Sequence, residues 1–134
     1  MFIEFEKYPF KIVSVEFPDK CDENENEYQR IIFDTAGDVK IQMDAIGDCC
    51  SSSVFVQWES HDFKNIIGKT IKNMNEIEVP SDYEVEEDIS GDYYASPHLY
   101  EFIFTDDSVF KFLMINYSNG YYDGWIEFTT LKKS

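Results

Sequence analysis

Two stretches of about 30 residues carry the same hydrophobic pattern at a fixed spacing of 71, so one supersecondary unit is used twice. Phe33, Lys40, Ile41, Met43, Asp48 and Val54-Phe55 fall on Phe104, Lys111, Phe112, Met114, Asn119 and Trp125-Ile126. The spacing predicts a single domain over 1–134, with pseudo-repeats at about 10–67 and 70–131. It also singles out two matched turns, Asp48-Cys49-Cys50-Ser51 and Asn119-Gly120-Tyr121-Tyr122.

The unit reads as sheet. Residues 10–17, 28–34, 38–46, 53–58, 70–79, 99–105, 108–117 and 121–130 have strand character. In the third of these Val39, Ile41 and Met43 alternate with Lys40, Gln42 and Asp44, which buries one face. Fourteen Ile and eight Val against three Leu suit a pleated surface better than a helical bundle. Thr35-Ala36-Gly37, Asp106-Asp107 and Asn119-Gly120 read as hairpin links, and Asn-Gly is the strongest two-residue turn signal of the three. Residues 61–67 read as a short helix with Ser60 as N-cap, Asp62 in its first turn and Gly68 as its stop. The predicted class is α+β: mainly antiparallel sheet from a duplicated strand-hairpin-strand unit, with one short helix between the halves.

Two acidic segments, around 19–27 and 82–92, follow the first strand of each half. The formal net charge is −16. A field of that sign repels phosphate backbones and anionic lipid heads, which argues against direct nucleic-acid or membrane binding. It favours solubility, cation attraction, or a basic protein partner. No apolar run reaches membrane-spanning length, and Met1-Phe2-Ile3-Glu4 lacks a secretory pattern, so an intracellular setting is expected.

Chemistry-bearing residues are sparse. Cys49 and Cys50 are candidates for a nucleophile or soft-metal ligand, but Asp48 would raise a neighbouring thiol's pKa, and adjacent cysteines do not have a chelating spacing. Packing of one thiol inward is the simpler reading. His61 and His98 are far apart in sequence, and no phosphate loop, nucleophile elbow or EF-hand is present. No catalytic residue, metal or cofactor is assigned. Tyr117, Tyr121, Tyr122 and Trp125 flank the second turn, where alternation puts Trp125 opposite to Ile126. Such aromatic groups suit either cross-strand packing or an interface.

At these turns the chain resembles an uncharacterised family of small domains scattered through bacteriophages, large DNA viruses and some cellular genomes. The resemblance rests on Gly47-Asp48-Cys49-Cys50-Ser51-Ser52-Ser53 and on Ser118-Asn119-Gly120-Tyr121-Tyr122-Asp123-Gly124, and it spans roughly residues 28 to 130. It implies a viral or phage origin and carries no activity with it.

The expected function is that of a non-enzymatic, acidic accessory protein acting by protein–protein binding. Its tentative binding residues are Asp48, Cys49, Cys50, Ser51, Asn119, Gly120, Tyr121, Tyr122 and Trp125. Two alternatives stand beside it. One is a structural or homo-oligomeric assembly role through exposed strand edges. The other is a small-ligand binder or enzyme whose site lies between the two turns.

Overall fold

A computed structural model describes residues 10–18, 27–47, 52–83, 94–118 and 124–133. These residues form nine strands: β1 (Phe10–Glu16), β2 (Glu27–Tyr28), β3 (Arg30–Thr35), β4 (Val39–Gly47), β5 (Ser52–Gln57), β6 (Thr70–Ile77), β7 (Tyr94–Phe104), β8 (Val109–Ser118) and β9 (Gly124–Lys132). All pairings are antiparallel, in the order β2-β5-β8-β7-β6-β1-β3-β4-β9.

The predicted α+β class is therefore wrong, because among the described residues there is no α-helix. The segment expected to be helical forms one 3₁₀ turn, Phe63–Ile66. Asp62, not Ser60, caps it, accepting from the Lys64 N–H at 3.0 Å. Ile67 already has extended backbone, and Gly68 turns left-handed at φ 91°. A seven-residue segment is too short to offset helix nucleation. Its far end is instead drawn into the sheet, where Gly68 N–H donates to Ile12 O at 2.7 Å and Ile12 N–H to Lys69 O at 2.9 Å. Phe63 and Ile66 still enter the core, whereas Ile67 is exposed.

The strand order is a palindrome. Exchanging β1 with β6, β3 with β7, β4 with β8 and β5 with β9 reverses it, leaving only the two-residue β2 unmatched. Register details match as well. Ile12 pairs with Thr35 ahead of a bulge that shifts Ser14 onto Asp34; Ile71 pairs with Phe104 ahead of a bulge that shifts Asn73 onto Ile103. Ala36 N–H donates to Lys11 O, and Thr105 N–H to Thr70 O, each at 3.0 Å. Lys11 and Thr70, matching residues, pair directly with each other. The hairpins thus correspond at a spacing of 69, so that Phe33 matches Phe102 and Met43 matches Phe112. The spacing of 71 holds only for the fourth strands, β5 and β9.

Each wing passes its last strand to the other. β6, β7 and β8 form a meander, and β8 then pairs with β5; β1, β3 and β4 form the other meander, and β4 pairs with β9. The Asn119-Gly120 hairpin expectation fails for this reason. Residues 119–123 connect β8 to a strand on the far wing, and β8 and β9 are not neighbours. A strong local turn signal has lost to long-range pairing.

The inward faces of both wings share one core, including Ile31, Phe33, Met43, Phe55, Phe102, Phe112, Met114 and Phe128. Burying each such side chain contributes about 1.5–3 kcal/mol. The outward faces differ. On the β3-β4-β9 wing it is mainly polar, with Arg30, Asp34, Lys40, Gln42, Asp44, Glu127 and Thr129 interspersed with Ile32, Ile46, Trp125 and Leu131. On the β5-β8-β7 wing Leu99, Leu113, Ile115 and Trp58 form a second cluster, onto which Val79 and Tyr83 pack. β8 is consequently buried on both faces.

Candidate functional site

β4 and β8 end, and β5 and β9 begin, at one end of the molecule. Gly47, where β4 stops, is paired with Gly124, where β9 starts. Ser53, near the start of β5, is paired with Asn116 near the end of β8. These two pairs match under the exchange of wings: a Gly–Gly pair on one side and a Ser–Asn pair on the other.

The substitution is spatially coupled. Asn116, fully buried, donates through Nδ2 to Ser53 Oγ at 3.0 Å and to Ser52 O at 3.5 Å. Ser53 Oγ donates onward to Ile46 O at 3.0 Å. A Cβ on Gly124 would stand 2.2 Å from Ser53 Oγ, 2.8 Å from Asn116 Nδ2 and 2.9 Å from Ile46 O. Gly124 is required so that the backbone of β9 can lie against this polar pair. Ser118, at the end of β8, is also buried. Asn116 Oδ1 is buried and has no partner among the described residues.

Both singled-out turns are rooted here, since residues 48–51 join Gly47 to Ser52 and residues 119–123 join Ser118 to Gly124. Of the nine tentative binding residues, Asp48, Cys49, Cys50, Ser51, Asn119, Gly120, Tyr121 and Tyr122 lie outside the described residues, as does Cys21. Trp125 lies on β9 opposite Ile46, on the outward face, and is 45% exposed. Ile126 points inward, as alternation predicts. The sequence reading assigned no binding role to the roots themselves, although Gly47, Ser53 and Gly124 stand at the ends of the two motifs; Asn116 lies outside both. The available signal was a Ser and an Asn inside otherwise apolar strand runs, together with glycines at the turn boundaries.

Below Trp125 the outward face of its wing is a lattice of polar pairs. Arg30 Nε donates to Asp44 Oδ1 at 2.7 Å, and Gln42 Nε2 to Asp44 Oδ2 at 2.8 Å. Lys133 Nζ lies 2.7 Å from Asp34 Oδ1, and Lys40 Nζ 3.6 Å from Glu16 Oε1. The Lys133 ammonium beside it holds the Asp34 carboxyl below the usual carboxylate range. Arg30, Lys40, Lys69, Lys72 and Lys133 are all ion-paired. With 27 acidic and 11 basic side chains, the unmatched charge is overwhelmingly negative.

The two histidines are not brought together. His61 Nδ1 accepts from the Lys111 N–H at 3.2 Å beside Phe110, whereas His98 stands in β7 opposite Met114, with Nδ1 3.5 Å from Glu76 Oε2. Among the described residues no three His, Cys, Asp or Glu side chains gather as a metal site. No helix among them is long and apolar enough to cross a membrane.

The chain is similar to "Uncharacterized protein L278" of Acanthamoeba polyphaga mimivirus, with 41% identity over 86 residues. The match covers 62% of this chain and 63% of the viral protein, so the chain spans less than two thirds of the relative's length. No protein-family model matches, and no solved structure matches.

Proposed function

We propose that the protein is a non-enzymatic, acidic binding module of viral origin, which docks a basic protein partner at the end where β4 and β8 finish and β5 and β9 begin. The observation that carries this reading is Trp125. It is a large aromatic side chain, 45% exposed, one residue from the glycine that roots a motif turn and level with the root of the other. Tryptophan is a favoured interface anchor because it supplies much contact area at little entropic cost. The Ser53–Asn116 hydrogen bond and the β4–β9 pairing fix the strand that carries the anchor. The excess of acidic groups steers encounter with a basic surface and raises the association rate, an effect that salt screens.

The test is affinity capture from amoebal lysate with the wild type and with Trp125→Ala, at low and raised salt. The reading expects a partner that is retained by the wild type, lost with the variant and weakened by salt. Identical capture by both proteins, or a complex indifferent to salt, refutes it.

A further inference from the structure

β9 ends the strand order, so among the described residues only β4 pairs with it. Lys133 N–H donates to Asp38 O at 2.9 Å, and hydrogen-bonded pairs alternate along an antiparallel ladder. Trp125, Glu127, Thr129 and Leu131 therefore direct their backbone groups at β4, whereas Ile126, Thr130 and Lys132 direct theirs outward. On the other wing the corresponding edge is covered. β2 pairs with β5 at Phe55 and Val56, whose matches at the spacing of 71 are Ile126 and Glu127. No described strand does the same for β9.

The charge around this edge is balanced. β3, β4 and β9 carry Arg30, Lys40 and Lys132 against Asp34, Asp44 and Glu127, three of each sign. The net charge of −16 therefore lies on the rest of the chain. A second copy can approach this edge without local repulsion. The opposite edge is different, since β2 begins at Glu27, directly after the acidic run.

The strand is also self-complementary. An antiparallel copy centred on Phe128 uses all nine residues and sets Ile126 opposite the partner's Thr130. The same register sets Trp125, 45% exposed, opposite the partner's Leu131, and Glu127 opposite the partner's Thr129. Symmetry makes each of these contacts twice. Both neighbouring registers are poorer. An axis at Glu127 opposes that carboxylate to itself, and an axis at Thr129 sets Leu131 against the partner's Glu127.

We propose that β9 pairs antiparallel with β9 of a second copy about a twofold axis at Phe128, which joins two sheets edge to edge and sets each Trp125 beside the partner's Leu131. The pairing does not rest on the basic-partner reading, and it responds to salt in the opposite direction.

The test is sedimentation equilibrium of the whole chain at low and raised salt. The wild type is expected to pass from 15.8 kDa toward twice that mass as concentration rises. Raised salt should favour the dimer, because it screens repulsion between the two acidic bodies. Thr130→Pro removes an outward N–H and leaves the β4 ladder intact. Leu131→Glu keeps the backbone and places a carboxylate beside the partner's Trp125. Each variant should weaken association about tenfold or more. In the wild type, dilution should shift tryptophan emission to longer wavelength as Trp125 loses its neighbour. A monomer under all conditions, a dimer that salt weakens, or a dimer unchanged by both variants would overturn the proposal. None of these readouts requires a basic partner.

Discussion

Phe33 and Phe102 meet edge to face, with ring centroids 5.9 Å apart and planes at 81°. They occupy matching positions in β3 and β7, so the centre of the core is a residue touching its own counterpart. Both are essentially inaccessible to solvent. Replacing Phe102 by Ala removes one partner and leaves a cavity that a sheet-on-sheet core cannot easily collapse. The expected loss is about 3–5 kcal/mol, with a similar loss for Phe33→Ala. Chemical denaturation should show the two losses to be non-additive in the double variant, because the residues are in contact.

Gly124→Ala should be more damaging than Gly37→Ala or Gly68→Ala. The added Cβ collides with Ser53 Oγ, Asn116 Nδ2 and a backbone carbonyl, and overpacking of this kind costs about 1–3 kcal/mol. Adding Ser53→Gly removes the closest collision. The pair should therefore lose less stability than the sum of the single changes in a thermal or denaturant double-mutant cycle.

Asp106 organises the β7–β8 turn, accepting from Ser108 N–H at 2.9 Å, from the Ser108 hydroxyl and from Lys69. The Ser108 hydroxyl bond is the main cause that brings its pKa down to about 2. A carboxyl whose folded pKa lies below its unfolded value stabilises the fold above the unfolded value, and that contribution fades as pH falls through the folded one. Asp106→Asn should therefore lower the melting temperature by a few degrees near pH 7, with the difference shrinking toward pH 2. A melting-temperature difference constant over that range contradicts this assignment.

Tyr83 packs on Trp58 with ring centroids 5.2 Å apart, closing the outer apolar cluster. Tyr83→Ala should cost about 1–3 kcal/mol and expose Trp58, now 8% accessible. In a Trp125→Phe background, which leaves Trp58 as the sole indole, its fluorescence should shift to longer wavelength. An unshifted spectrum counts against the packing of residues 78–83 on this face.

The strands could be read from sequence because alternation in β3, β4 and β9 comes from one buried and one wet face. β8 carried less of that signal, since Leu113 and Ile115 are buried on its outer side as fully as Phe112 and Met114 are on its inner side. The wings' internal equivalence was displaced by two residues in the hairpin, and a shift of two preserves every inward side chain. Hydrophobic matching alone could not detect it; the bulges after Ile12 and Ile71 do. The partner of a strand was the least legible property. Asn119-Gly120 has the chemistry of a tight turn, yet nothing local records that β8 and β9 belong to opposite wings. The Gly124 requirement was equally hidden, because it arises from Ser53 and Asn116, far away in the chain.

The exchange of final strands has a mechanical consequence. Neither wing owns the strand that completes it, so neither is an autonomous folding unit. Along the sheet, β9 is hydrogen-bonded to β4 and not to β8, its neighbour in the chain. A nick in the linker between Gly68 and Thr70 would leave two fragments clasped by their borrowed strands, as forearms are when each hand grips the other's wrist.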